Sequence, residues 1–115
     1  MIILTLPYPP SVNSIWRAGN GRIYKSAGYN AWIKEAGWMA KAQHPGKLTG
    51  KYFMWILATA PDRRRRDVAN LEKVVSDLLQ SLEIVRDDSD CQSCTIAWSG
   101  EVVKGGALRV SIEAA

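Results

Sequence analysis

Residues Tyr52 to Leu79 read YFMWILATAPDRRRRDVANLEKVVSDLL. The first eight, Tyr52 to Thr59, are apolar at every alternation, which predicts a strand in the middle of a sheet covered on each side. APDRRRR ends that strand. The four arginines Arg63, Arg64, Arg65 and Arg66 run into Asp67, and from about Val68 to Leu82 the positions Leu71, Val74, Val75, Leu78 and Leu82 recur at helical spacing. The stretch therefore sets out a strand, a basic loop and an amphipathic helix.

Upstream, IILTL (residues 2 to 6) reads as a strand ended by PYPPSVN, whose prolines favour extended backbone. This N-terminus lacks the basic flank and long apolar run of a signal peptide. SIWRAGNGRIYKS predicts a small hairpin turning at AGNG and carrying Arg17, Arg22 and Lys25. From Ala27 to Ala42, Tyr29, Trp32, Ile33, Ala36 and Ala40 share one helical face, while Trp38 points the other way. Trp38 either lies along its own helix or meets a partner chain or DNA. Downstream of the second helix, VRDDSDCQS is a polar loop, and strands over roughly 93–99 and 107–113 are joined around KGG. The order β, hairpin, α, β, α, β, β predicts an α+β fold, a single compact domain over residues 1–115 with a mixed β-sheet and two main helices.

At 115 residues the chain holds one domain, and no apolar run approaches the ~20 residues that span a bilayer. Its net charge of +4 leans toward polyanionic partners, and four of the fifteen basic residues sit in the arginine run. Cys91 and Cys94 form one C-x-x-C. A zinc site needs two further ligands, and the single histidine, His44, lies beyond a Pro-Gly turn. The pair reads as two reduced thiols in a cytoplasmic protein.

On the second helix Asn70, Lys73 and Asp77 share a polar stripe opposite the leucines. Taken singly, Asp67 is a helix cap and Lys73 with Asp77 a surface pair. Taken with the crowded acids Asp87, Asp88 and Asp90, they suggest a cation site. Hard ions such as Mg²⁺ take carboxylate, water and phosphate oxygens and assist phosphodiester hydrolysis. A lysine can offset charge developing on the phosphate, and flanking arginines can hold neighbouring phosphates. Acids beside a phosphate-binding strip make a nuclease site. An extended arginine run would point Arg63 and Arg65 one way, and Arg64 and Arg66 the other.

These segments resemble the RusA family of Holliday junction resolvases, small dimeric endonucleases of bacteria and their prophages. The resemblance runs through LPYPPSVNSIWR, DRRRRDVANLEK, RDDS and the KGG hairpin. The family motif is an arginine-flanked Asp-x-Asp-Asn-x-x-Lys with a later Asp-Asp pair. Asp67 falls on the first acid, Asn70 on the asparagine, Lys73 on the lysine, and Asp87 with Asp88 on the pair. The resemblance implies Mg²⁺-dependent, structure-selective cleavage of four-way DNA junctions in recombination and repair, by a homodimer with no membrane partner. It implies catalytic roles for Asp67, Lys73 and Asp88, and metal ligation by Asp67, Asp87 and Asp88. It implies DNA contacts from Arg63 to Arg66, Asn70, Arg17 and Lys25.

Ala69 stands where the motif has its second acid. It is an inactivating substitution, a variant with a substitute ligand such as Glu72, or the mark of a non-cleaving binder; all three stay open. Asp77, ~15 Å along the helix from Asp67, is the poorer substitute. Two other classes compete with the nuclease: a branched-DNA-binding module that does not cut, and a protein-interaction domain with an incidental basic loop. A helix from Val68 to Leu82 would span ~22 Å. The short return to Asp88 then favours a site in which Asp88 joins the partner's Asp67.

Overall fold

The computed structural model describes the backbone of residues 1–10, 16–19 and 22–115, and the side chains of 1–10 and 26–115. Strand β1 is Ile2–Leu6, β2 Trp16–Gly19, β3 Arg22–Lys25, helix α1 Ala27–Ala42, β4 Tyr52–Ala60, α2 Leu71–Ser81, β5 Cys91–Val102 and β6 Ala107–Ala114. The main sheet has the order β1-β6-β4-β5. It is mixed, because β4 runs antiparallel to β6 and parallel to β5. The predicted hairpin exists as the pair β2–β3, with Trp16 opposite Lys25 and Gly19 opposite Arg22. Its tip at residues 20–21, and the side chains of Arg17, Arg22 and Lys25, lie outside the described residues.

Register places alternate residues of each strand on the helix-covered face. Met54, Ile56 and Ala58 of β4 lie opposite Ile112, Val110 and Leu108 of β6, which in turn lie opposite Ile2, Leu4 and Leu6 of β1. Tyr29, Trp32, Ala36 and Ala40 of α1 and Leu71, Val74, Val75, Leu78 and Leu79 of α2 join them in one core. Burying this set supplies the main driving force of the fold. The Ser26 hydroxyl caps α1 by accepting from the Tyr29 N–H at 3.2 Å. The Trp32 indole N–H donates to the Pro7 carbonyl at 2.9 Å, fastening α1 to the end of β1. Trp38 is 74% exposed, as the helical wheel requires.

Two expectations need correction. Strand β4 is central but covered on one face only: Trp55 and Leu57 are exposed on the other, because both helices pack on the same side. The second helix is also shorter than predicted. Val68–Asn70 forms a 3₁₀ turn, and regular α geometry starts at Leu71. The cause is local. Asp67 Oδ1 accepts the Ala69 N–H at 3.0 Å, only two residues on, which tightens the first turn. Among the described residues no helix is long and apolar enough to cross a membrane.

Candidate active site

The arginine loop leaves the end of β4 and is folded around Asp62. The Asp62 carboxylate accepts the Arg64 N–H at 2.9 Å and both terminal nitrogens of Arg66, one of them at 3.0 Å and the other closer still. The Arg66 bonds, then the Arg64 N–H, hold this carboxyl down to about 2. Arg66 also lies 5.7 Å from the Tyr8 ring centroid, in cation–π range. Arg66 is therefore half-buried and committed to the fold, while Arg63, Arg64 and Arg65 are exposed. The division is three to one, in place of the two and two of an extended strand.

Asp67 follows directly, exposed, with one oxygen engaged by Ala69 N–H. Ala69 and Asn70 are exposed in the same turn, and Asn70 makes no side-chain cap bond to α2. One turn on, the Lys73 ammonium lies 3.1 Å from Asp77 Oδ1 and 3.8 Å from Asp88 Oδ2. Asp77 by hydrogen bond and charge, and Asp88 by charge, raise the Lys73 pKa and keep it protonated.

The acid-rich loop divides its three carboxylates. Asp90 is buried and takes two bonds from Arg86, at 3.0 and 3.2 Å, so it is structural. Asp87 caps the 3₁₀ turn Asp88–Asp90 by accepting the Ser89 N–H at 2.9 Å, the largest cause of its lowered pKa. Asp88 is held from behind, its N–H donating to Gln80 Oε1 at 3.2 Å. That bond fixes Asp88 along α2 within the same chain, close enough to meet Lys73. The 3₁₀ turn and α2 run on continuously, and a 3₁₀ turn rises ~2.0 Å per residue, so the span from Asp67 to the end of α2 stays at ~22 Å.

Glu72 accepts the Ser76 hydroxyl at 3.3 Å, one turn further into α2. Its charge also bears on the thiols of Cys91 and Cys94, which burial pushes up, that of Cys94 to about 11. Both cysteines are free and poor nucleophiles.

The structure thus gathers Lys73, Asp77 and Asp88 tightly, with Asp87 adjacent in sequence and Asp67 at the head of the same helix. Among the described residues no three His, Cys, Asp or Glu side chains converge as a metal-holding group. The Lys73 ammonium itself occupies the cationic position between Asp77 and Asp88. This donor set, carboxylates of which Asp67 is exposed and Asp77, Asp87 and Asp88 half-buried, with little nitrogen or sulfur, suits a hard oxygen-seeking ion. The Lys73–Asp77 pair is the one the helical spacing predicts, while Gln80, which carries no charge to mark it, was not legible in the sequence.

The family described as Endodeoxyribonuclease RusA matches residues 7–113. The crossover junction endodeoxyribonuclease RusA of Escherichia coli strain K12 is 34% identical over 116 residues, covering 95% of this chain and 91% of that protein. The enzyme of the same name from Enterobacteria phage 82 is 32% identical over the same shares. That from phage HK97 is 30% identical over 108 residues, covering 93% of this chain and 89% of its own.

Proposed function

We infer the activity from one premise: the chain belongs to the RusA family of endodeoxyribonucleases, and it is an endonuclease, a hydrolase. The proposed substrate is a four-way DNA junction, resolved by paired cuts during recombination and repair. The observation that carries this reading is the placement of three exposed arginines, Asp67 and Lys73 on one loop and helix, with Asp88 of the following acid loop 3.8 Å from Lys73.

Each residue has a proposed task. Arg63, Arg64 and Arg65 bind phosphates and set the register of the duplex arms. Asn70, with Arg17 and Lys25 on the hairpin, adds polar and basic contacts. Asp67 and Asp88, with Asp87, are the ligands for Mg²⁺, and Glu72 is the candidate to replace the acid absent at Ala69. The ion, when bound, would activate water and stabilise the departing oxygen. Lys73, kept protonated by its two carboxylates, offsets charge developing on the phosphate once DNA displaces one of those contacts. Two cuts on a two-fold substrate call for a homodimer. The sheet face bearing Trp55 and Leu57, unpartnered in the single chain, supports a partner subunit.

Ala69 favours a second reading, in which the chain binds branched DNA and cuts it slowly or not at all. A gel shift comparing a four-way junction with linear duplex, followed by Mg²⁺ addition, separates the two. Junction-selective retention followed by paired nicks supports the nuclease, and retention without nicks supports the binder. Equal, weak retention of both DNAs overturns both.

A further inference from the structure

Strand β5 does not end cleanly. Ala58 of β4 lies opposite Trp98, yet Ala60 lies opposite Val102, so β5 bulges by two residues around Gly100. Bulges re-aim side chains, and this one is fixed in place. The Ser99 hydroxyl lies 3.0 Å from that of Thr59 and accepts the Glu101 N–H at 3.2 Å. The bulge forms one wall of an open depression of about 400 Å³, and the loop Asp62–Arg66 forms the other. Trp98 lines it, 36% exposed. Its ring stacks on Tyr8 with centroids 6.4 Å apart and planes 14° from parallel. Tyr8 is backed in turn by the Arg66 guanidinium that Asp62 clamps. The tryptophan is thus a flat aromatic surface on a rigid support, bordered by three exposed guanidinium groups, of which only Arg64 makes a loose contact, 3.9 Å, with Asp62.

We propose that Trp98 is a base-stacking platform, which takes an unstacked nucleobase from the branch point while Arg63, Arg64 and Arg65 hold the flanking phosphates. The proposal rests on the DNA-binding reading above and adds to it a means of telling branched from linear DNA. A fully stacked duplex offers no free base face, whereas a branch point or a single strand does. The acids present fit this assignment. Asp62 is neutralised by Arg66, and Glu101, on the β5 side, disfavours phosphate there and leaves the aromatic wall to an uncharged base.

The test compares wild type, Trp98→Ala and Trp98→Leu on three DNAs: a four-way junction carrying 2-aminopurine at the branch point, a single strand, and a linear duplex. Stacking on an aromatic residue is worth about 1–3 kcal/mol per base, or roughly 5- to 150-fold in affinity. Both variants should lose that factor on junction and single strand, keep duplex affinity within about twofold, and fail to perturb the 2-aminopurine emission that wild type perturbs. Trp98→Leu keeps apolar packing, so it decides the matter if Trp98→Ala unfolds. Wild-type affinity of Trp98→Leu for all three DNAs overturns the proposal, and so does an equal loss on all three. If wild type shows no preference for junctions, the reading of the substrate falls, and the single-strand arm alone then decides the role of Trp98.

Discussion

Gly106→Ala is the sharpest available test of how the arginine loop is supported. The turn between β5 and β6 docks on the end of β4, with the Val103 N–H donating to the Ala60 carbonyl at 3.0 Å. Gly106 has a φ of 62°, and a Cβ there would lie 2.7 Å from the Thr59 carbonyl oxygen and 3.0 Å from both Pro61 N and Tyr8 Cβ. Its neighbour Gly105, at φ 85°, has nothing within 4 Å of the same atom. Both alanines would incur the left-handed cost of about 1–2 kcal/mol. Only Gly106→Ala adds overpacking of about 1–3 kcal/mol, because β4 backbone held by the Thr59–Ala107 pairing cannot yield cheaply. The sum is about 2–5 kcal/mol, a large part of a typical total of about 5–15 kcal/mol. At roughly 4 °C per kcal/mol for a chain of this size, the melting temperature should fall by about 8–20 °C, against about 4–8 °C for Gly105→Ala. Calorimetry of the two variants side by side checks the difference. Equal melting temperatures would refute the close packing of this turn on Thr59 and Pro61, where the arginine loop leaves β4.

Replacing Arg63, Arg64 and Arg65 together by alanine should flatten the log–log salt dependence of junction affinity by up to ~2.7, about 0.9 per lost phosphate contact, whereas an unchanged slope would leave the loop a solvated one. Arg66→Ala should chiefly lower the melting temperature, since its guanidinium is held by Asp62 and Tyr8. Asp62 has a folded pKa of about 2 against an ordinary 3.8, so its stabilising clamp is complete above the higher value and is lost as pH falls through the lower. A carboxyl NMR titration of Asp62 with a midpoint near 3.8 would show that the clamp is absent in solution. Ala69→Asp, at an exposed position in the first turn, should raise Mg²⁺-dependent junction cleavage at least about tenfold, since a group stabilising the transition state contributes about 3–4 kcal/mol. Brisk cutting by the unaltered chain, no change on Ala69→Asp, and loss on Glu72→Ala would instead make Glu72 the replacement ligand.

Periodicity carried most of the fold. The apolar faces of both helices, the alternation in β1 and β6, and the KGG turn are local patterns, and local patterns are what a sequence displays directly. Apolarity on both faces of β4 suggested cover on both, whereas the fold covers one and leaves Trp55 and Leu57 exposed; which side the helices take depends on where the crossovers run. The extension of β5 to Cys91 and to Val102 was hidden because its ends are exposed edge and bulge, where no alternation is enforced. The site was less legible. Asp62–Arg66 and Arg86–Asp90 are both separated by four residues, but neither pair lies on a helix, so helical spacing gave no reason to join them. Gln80 acts through an amide on the backbone of Asp88, a bond that only the returning loop creates.

Those pairings also decide which charges are left for chemistry. Four arginines and a nearby acid look in sequence like an undivided basic strip with one neutralising partner. In the fold Asp62 is consumed by Arg66, and Asp90 by Arg86. Both pairs lock loops next to the site. What remains outside those pairs is exposed Arg63 to Arg65, exposed Asp67 and half-buried Asp87 and Asp88, with Lys73 balanced against Asp77 and Asp88. Because the Gln80 bond returns Asp88 to its own helix, each chain carries both the head of α2 and the acid loop that folds back along it. Whether Asp88 acts with the Asp67 of its own chain or of a partner is decided by mixing Asp67→Asn with Asp88→Asn chains: with both acids drawn from one chain in the proposed dimer, each site is broken and the mixed dimer should not nick a junction. A single nick by such mixed dimers would instead show a shared site, because one unaltered Asp67 then still meets one unaltered Asp88 across the two chains.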